Sequence, residues 1–172
     1  MPILIPDTRS TRGSAMKAIL FDLDGVLYQG GSLLTGAVEA LDWVRREGID
    51  HLFLTNTSSR PRIAIRDNLA RMGIPVALEE ILTPPVAARE WLVEQGVSSV
   101  ALLIPEATRG EFVGLDVLSA EAQTGAGAIV VGDLGEGWDF ATMNRAFRLL
   151  MAEPHPRLIA LGTVSYTHLT LP

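Results

Sequence analysis

Residues 18–27 read Ala18-Ile19-Leu20-Phe21-Asp22-Leu23-Asp24-Gly25-Val26-Leu27. An apolar run rich in strand formers ends in two aspartates one residue apart, then a glycine. Such a run predicts a buried strand of a parallel sheet that leaves through a tight turn at Gly25. An unpaired carboxylate inside a core costs several kcal/mol, so the two acids call for another explanation. In open α/β sheets, ligands bind beyond the carboxyl ends of the strands. On an extended chain Asp22 and Asp24 project to one side and Leu23 to the other. Two carboxylates so placed can share a divalent cation, or divide the roles of nucleophile and acid. A plain strand followed by an Asp-Gly turn is the other reading of the same residues.

Working outward, strand and helix signals alternate. Strand one is placed at Lys17–Leu23, followed by a Gly-rich loop, Tyr28-Gln29-Gly30-Gly31. A helix is expected from Thr35 to Glu47, capped by Thr35 and stopped by Gly48. Strand two, Ile49–Leu54, runs into Thr55-Asn56-Thr57-Ser58-Ser59. The next helix takes Ser59 as cap, Pro61 in its first turn and Gly73 as its stop. Glu80–Thr83 suggests a third strand, and Pro84-Pro85 opens a helix that ends at Gly96. Further strands are expected at Val100–Ile104, Ala126–Val131 and Leu158–Leu161. Between the last two lies an amphipathic helix, Trp138–Met151, with Met143, Ala146, Phe147 and Leu150 on one face. Trp43 and Trp91, at helical spacing, are expected in the core. His51 reads as structural, inside a strand. Strand–helix alternation throughout predicts a parallel α/β sheet with right-handed crossovers.

The chain has 172 residues, 48% of them hydrophobic and 20% charged, which describes a globular protein. A net charge of −6 argues against a nucleic-acid partner. The absence of cysteine removes disulfides, thiolate zinc sites and cysteine nucleophiles, and makes the cytosol (cytoplasmic) the natural setting. No apolar stretch suits a membrane span, and Met-Pro-Ile-Leu-Ile-Pro is too short for a signal peptide.

If strands one and two are neighbours, Asp22, Asp24, Thr55 and Asn56 open on one crevice. The Thr55 hydroxyl, the Asn56 amide and the N–H groups of Thr57 and Ser58 would then face an anion. Taken alone, the Thr-Asn-Thr-Ser-Ser segment reads better as a polar helix cap and turn, and the pair of strand ends carries more weight than either alone.

Phe21-Asp22-Leu23-Asp24-Gly25-Val26-Leu27 followed by Leu54-Thr55-Asn56-Thr57-Ser58 resembles motifs I and II of the haloacid dehalogenase-like (HAD) phosphohydrolases. More narrowly, the chain is similar to the subgroup that holds the nitrophenyl-phosphate, phosphoglycolate and pyridoxal-phosphate phosphatases and the phospholysine phosphohistidine inorganic pyrophosphate phosphatase. Gly36-Ala37, Ile81-Leu82-Thr83-Pro84, Val130-Val131-Gly132, Phe140 and Asn144–Leu150 support it. The resemblance implies a Rossmann-like parallel sheet, the first half of the family's core, with an inserted α/β cap domain that is truncated. Its expected division is a disordered leader at 1–15, core at 16–84, incomplete cap at 85–163 and a non-native tail at 164–172. That tail resembles the translation of a sequencing adaptor.

The resemblance further implies a magnesium-dependent phosphatase acting on a small phosphomonoester, phosphoamide or pyrophosphate through an aspartyl-phosphate. Asp22 would be the nucleophile, with Asp24 as acid and base. Both would hold Mg2+, Asp24 through its carbonyl, and Thr55 and Asn56 would bind phosphate. The family's phosphate lysine and late acidic motif are not matched. Lys17, the only lysine, begins strand one about 16 Å from Asp22. This fragment is therefore expected to be inactive, and its uncovered sheet edge leaves association into a homo-oligomer open. Two alternatives stand beside it. One is a compact phosphatase that uses Asp133 or Asp139 as the late acid, where Asp139 also reads as a helix cap. The other is a non-catalytic α/β binding module.

Overall fold

A computed structural model describes residues 18–162. The leader at 1–15, Lys17 and the tail at 164–172 lie outside the described residues. In chain order the elements are β1 (Ala18–Asp22), β2 (Tyr28–Gln29), β3 (Ser32–Leu33), α1 (Ala37–Arg46), β4 (Asp50–Leu54), α2 (Arg62–Arg71), β5 (Ile81–Leu82) and α3 (Pro84–Glu94). Then come β6 (Ser99–Leu103), β7 (Asp116–Val117), β8 (Ala128–Val131), α4 (Phe140–Met151) and β9 (Arg157–Ala160). The described residues divide into two compact units: 18–55 with 62–82, and 56–61 with 83–162.

The first unit holds a parallel sheet in the order β1-β4-β5. Leu23, Leu41, Phe53, Leu69, Ile74 and Ile81 form its core. Full burial of a side chain of this size contributes roughly 1.5–3 kcal/mol. β1 borders β4 alone, and its residues alternate between exposed and half-buried. Leu20 is 61% exposed. The expectation of a buried strand is thus corrected: among the described residues, β1 is a sheet edge. The Gly-rich loop is a small hairpin, β2 against β3, turning through Gly30 and Gly31 at φ 56° and 84°. Two successive residues at positive φ suit a tight hairpin and favour glycine.

Helix starts also differ from expectation. Gly36, at φ 86°, caps α1 in place of Thr35, and α2 begins at Arg62, just after Pro61.

The second unit is a parallel sheet in the order β7-β6-β8-β9. Its central strands are covered on both faces, as parallel strands require. Ala88, Leu92 and Phe112 pack against Val100, Leu102 and Val130 on one face. Leu149 of α4 packs with Ala101, Leu103 and Ile129 on the other. The inward positions of α4 are Leu149, Ala146 and Leu150, while Met143 and Phe147 are 56% and 62% exposed. Trp43 is half-buried. Trp91 is exposed, and the Arg157 guanidinium lies 5.2 Å from its ring centre.

Candidate active site

The site begins with strand register. Asp22 pairs with Leu54 in the parallel β1–β4 ladder, so Thr55 lies one residue beyond the partner of the first carboxylate. Neighbouring strands run about 4.8 Å apart, which brings the two tips together. The Thr55 N–H donates to the Leu82 carbonyl at 3.3 Å, extending the β4–β5 ladder by one bond.

The turn after β1 is built on the Leu23 carbonyl. It accepts from the N–H groups of Val26, Leu27 and Tyr28 at 3.4, 2.9 and 3.3 Å. The Gly25 N–H donates to the Tyr28 carbonyl at 2.7 Å. Leu23 and Leu27, 0% and 2% exposed, anchor both ends of this turn in the core. Their importance went unread in the sequence, although two leucines four apart around Asp-Gly are visible there. Between the engaged carbonyls of Leu23 and Tyr28, the Asp24 carbonyl accepts none of the turn's backbone hydrogen bonds.

Asp22 and Asp24 are both exposed, with fully buried Leu23 between them. The alternation expected of an extended chain therefore continues past the end of β1. The Leu23 N–H donates to Asp22 Oδ1 at 2.9 Å, which fixes that carboxylate. Asn56 follows Thr55 in the chain and is exposed, but segment 56–61 groups with the second unit. Among the described residues no cluster of three or more His, Cys, Asp or Glu side chains is arranged to hold a metal.

Asp133 and Asp139 have local partners. Asp139 Oδ1 accepts from the Thr142 N–H at 2.7 Å and caps α4. Asp133 Oδ1 accepts from the Gly135 N–H at 3.0 Å.

A parallel sheet with acids and a threonine at adjoining carboxyl tips puts polar groups where open α/β sheets bind their ligands. The family model described as haloacid dehalogenase-like hydrolase matches residues 19–117, and the chain belongs to that family. A Rattus norvegicus protein named phospholysine phosphohistidine inorganic pyrophosphate phosphatase is 35% identical over 159 residues, 90% of this chain and 56% of its own length. The p-nitrophenyl phosphatase from Archaeoglobus fulgidus superposes with a TM-score of 0.72 at 25% identity, covering 86% of this chain and 55% of its own. The glycerol phosphate phosphatase from Mycobacterium tuberculosis in complex with magnesium gives a TM-score of 0.63 at 27% identity, with 76% and 40% covered. This chain thus spans about half the length of the curated relatives it matches. No described helix is long and apolar enough to cross a membrane.

Proposed function

We propose that the chain carries the nucleophile-bearing part of a magnesium-dependent phosphatase, acting on a small phosphomonoester, phosphoamide or pyrophosphate. The observation that supports this reading is the pairing of Asp22 with Leu54, with Thr55 one residue past that partner. The names of the relatives and structural neighbours support it.

Asp22 attacks phosphorus, and the bond to the leaving oxygen breaks as Asp24 gives that oxygen its proton. The ionised Asp24 then takes a proton from water. The water oxygen attacks the aspartyl-phosphate, the bond to Asp22 breaks, and inorganic phosphate leaves. The Leu23 N–H orients the Asp22 carboxylate, and the Thr55 hydroxyl binds the transferring group. Asn56 is proposed as a second phosphate donor on the motif alone.

Two exposed carboxylates, with an Asp24 carbonyl that takes none of the turn's backbone hydrogen bonds among the described residues, suit magnesium, which takes one or two carboxylates and keeps several waters. Asp22 and the Asp24 carbonyl would hold the ion, which supplies neutralisation of phosphoryl charge. No lysine and no third acid stands in this set among the described residues, so we expect slow turnover from these 172 residues. Asp139 is read as a helix cap, because its carboxylate already serves α4. The cysteine-free composition supports a cytosolic setting.

The deciding experiment is hydrolysis of p-nitrophenyl phosphate with and without Mg2+, by this chain and its Asp22→Asn variant. Magnesium-dependent release that disappears in the variant supports the reading. Equal magnesium-dependent release by the two chains overturns it, and tight binding of a phosphate analogue without any release favours a binding module.

A further inference from the structure

The outer face of α4 is apolar. Phe140, Met143, Phe147 and Met151 are 56–86% exposed. At 3.6 residues per turn these four fall within an arc of about 80°, and Leu149, the buried anchor of the helix, points the opposite way. Arg145 and Arg148 tie one flank of α4 to the loop after β7, donating to the Ser119 and Ala122 carbonyls and to Gln123 Oε1. The other flank therefore faces β9, at the far end of the sheet. There Leu158, the register partner of Ile129, lies on the α4 side of the sheet and is 56% exposed.

Apolar area left in water costs free energy that a matching surface would recover. At about 200 Å² for each side chain of this size, these five residues expose roughly 600 Å², the top of the range for a monomer. A homodimer face is about 65% apolar, so one built on this patch covers about 900 Å² of each copy. A standard interface needs about 800 Å² a side.

The order of the side chains selects the partner. In an antiparallel pair of α4 helices, Phe140 meets the partner's Met151, and Met143 meets the partner's Phe147. The two pairings share a midpoint to within about 1 Å at 1.5 Å rise per residue. A two-fold interface requires this symmetry, in which residue i meets j and j meets i. Methionine sulfur against an aromatic ring is a favourable contact. The chain carries a net charge of −6, yet α4 has no carboxylate to bring copies into repulsion on this face.

We propose that the chain forms a two-fold homodimer through the outer face of α4, with the two helices antiparallel and Leu158 at the border of the contact.

The test is sedimentation equilibrium of the 172-residue chain across a dilution series, with circular dichroism confirming that each variant is folded. A reversible monomer–dimer equilibrium is expected, with association about tenfold or more weaker in Phe147→Glu and in Met143→Glu. Either variant serves should the other fail to fold. Leu20→Glu, on the open edge at β1, is the control and should dimerise as the unaltered chain does. The chain has no cysteine of its own, so disulfide formation can report the register. In a mixture of Met143→Cys and Phe147→Cys chains, oxidation should link unlike chains faster than like ones. A chain that stays monomeric throughout the series, a dimer unaltered by both α4 variants, loss confined to Leu20→Glu, or like chains linking as fast as unlike ones would overturn the proposal.

Discussion

Asp22 and Leu54 are register partners across the parallel β1–β4 pair, and that pairing fixes which residues meet at the sheet's carboxyl end. A slip of one residue would turn Asp22 toward the core and Phe21 outward, because strand side chains alternate. Phe21 stacks on Phe53 with centroids 6.0 Å apart, so the slipped register would lose this contact. The same packing that stabilises the first unit therefore sets the position of the first carboxylate.

Exchanging either acid for its amide should separate their roles. Asp22→Asn removes the attacking oxygen's charge, and hydrolysis of p-nitrophenyl phosphate should fall to background. Asp24→Asn keeps the nucleophile and loses proton transfer, so the rate should drop by about 10²–10⁴-fold. The Asp24→Asn loss should shrink for substrates whose leaving group needs no proton. An equal loss across leaving groups would count against Asp24 as the acid.

Stripping the metal should be reversible. EDTA should take hydrolysis to background, and added Mg2+ should restore it. Ca2+ should restore less, because its longer bonds and larger ligand number do not match a compact octahedral site. Hydrolysis that persists in EDTA would exclude a metal role.

The turn after β1 offers a stability test independent of catalysis. Gly25 adopts φ 79°, and a Cβ added there meets nothing within 4 Å. Gly25→Ala therefore isolates the backbone cost of the left-handed conformation, about 1 kcal/mol. Leu23→Ala empties a fully buried site and should cost about 2–5 kcal/mol. Urea denaturation of the two variants should rank them in that order, and the reverse order would show that the turn is not anchored as described.

The parts of the fold visible in the sequence were those with long apolar signals. The ends of β1 and β4, the Pro84-Pro85 start of α3 and the strand character of β6 and β8 all followed from hydrophobic runs and their punctuation. What escaped was set by tertiary context. The two-residue strands β2 and β3 carry too few side chains for periodicity. Glycine took the α1 cap because the chain enters that helix with positive φ, which Thr35 would adopt at a cost. Burial of β1 depends on which strands flank it, and Trp91 turned outward to meet Arg157 on β9, more than sixty residues away in sequence. The carboxylates were legible as a pair. The carbonyl pivot at Leu23 was not, since backbone acceptors leave no mark on residue type.

The cap of α4 gives a pH prediction with a definite sign. The Thr142 N–H, donating to Asp139 Oδ1, holds the Asp139 carboxyl below the ordinary aspartate range. A carboxyl lowered on folding binds protons more readily in the unfolded chain. Its stabilising contribution is thus fully present above the unfolded carboxyl range, and it is lost as pH falls through the lowered folded range. Asp139→Asn keeps an acceptor for Thr142 but has no proton to bind. Melting temperatures of the unaltered chain should therefore fall more steeply with acid than those of the Asn variant, across the carboxylate range. Asp139→Ala should melt lower at every pH, since the cap itself is gone. Parallel curves for the unaltered chain and Asp139→Asn would show that the α4 cap does not depend on the ionised carboxylate.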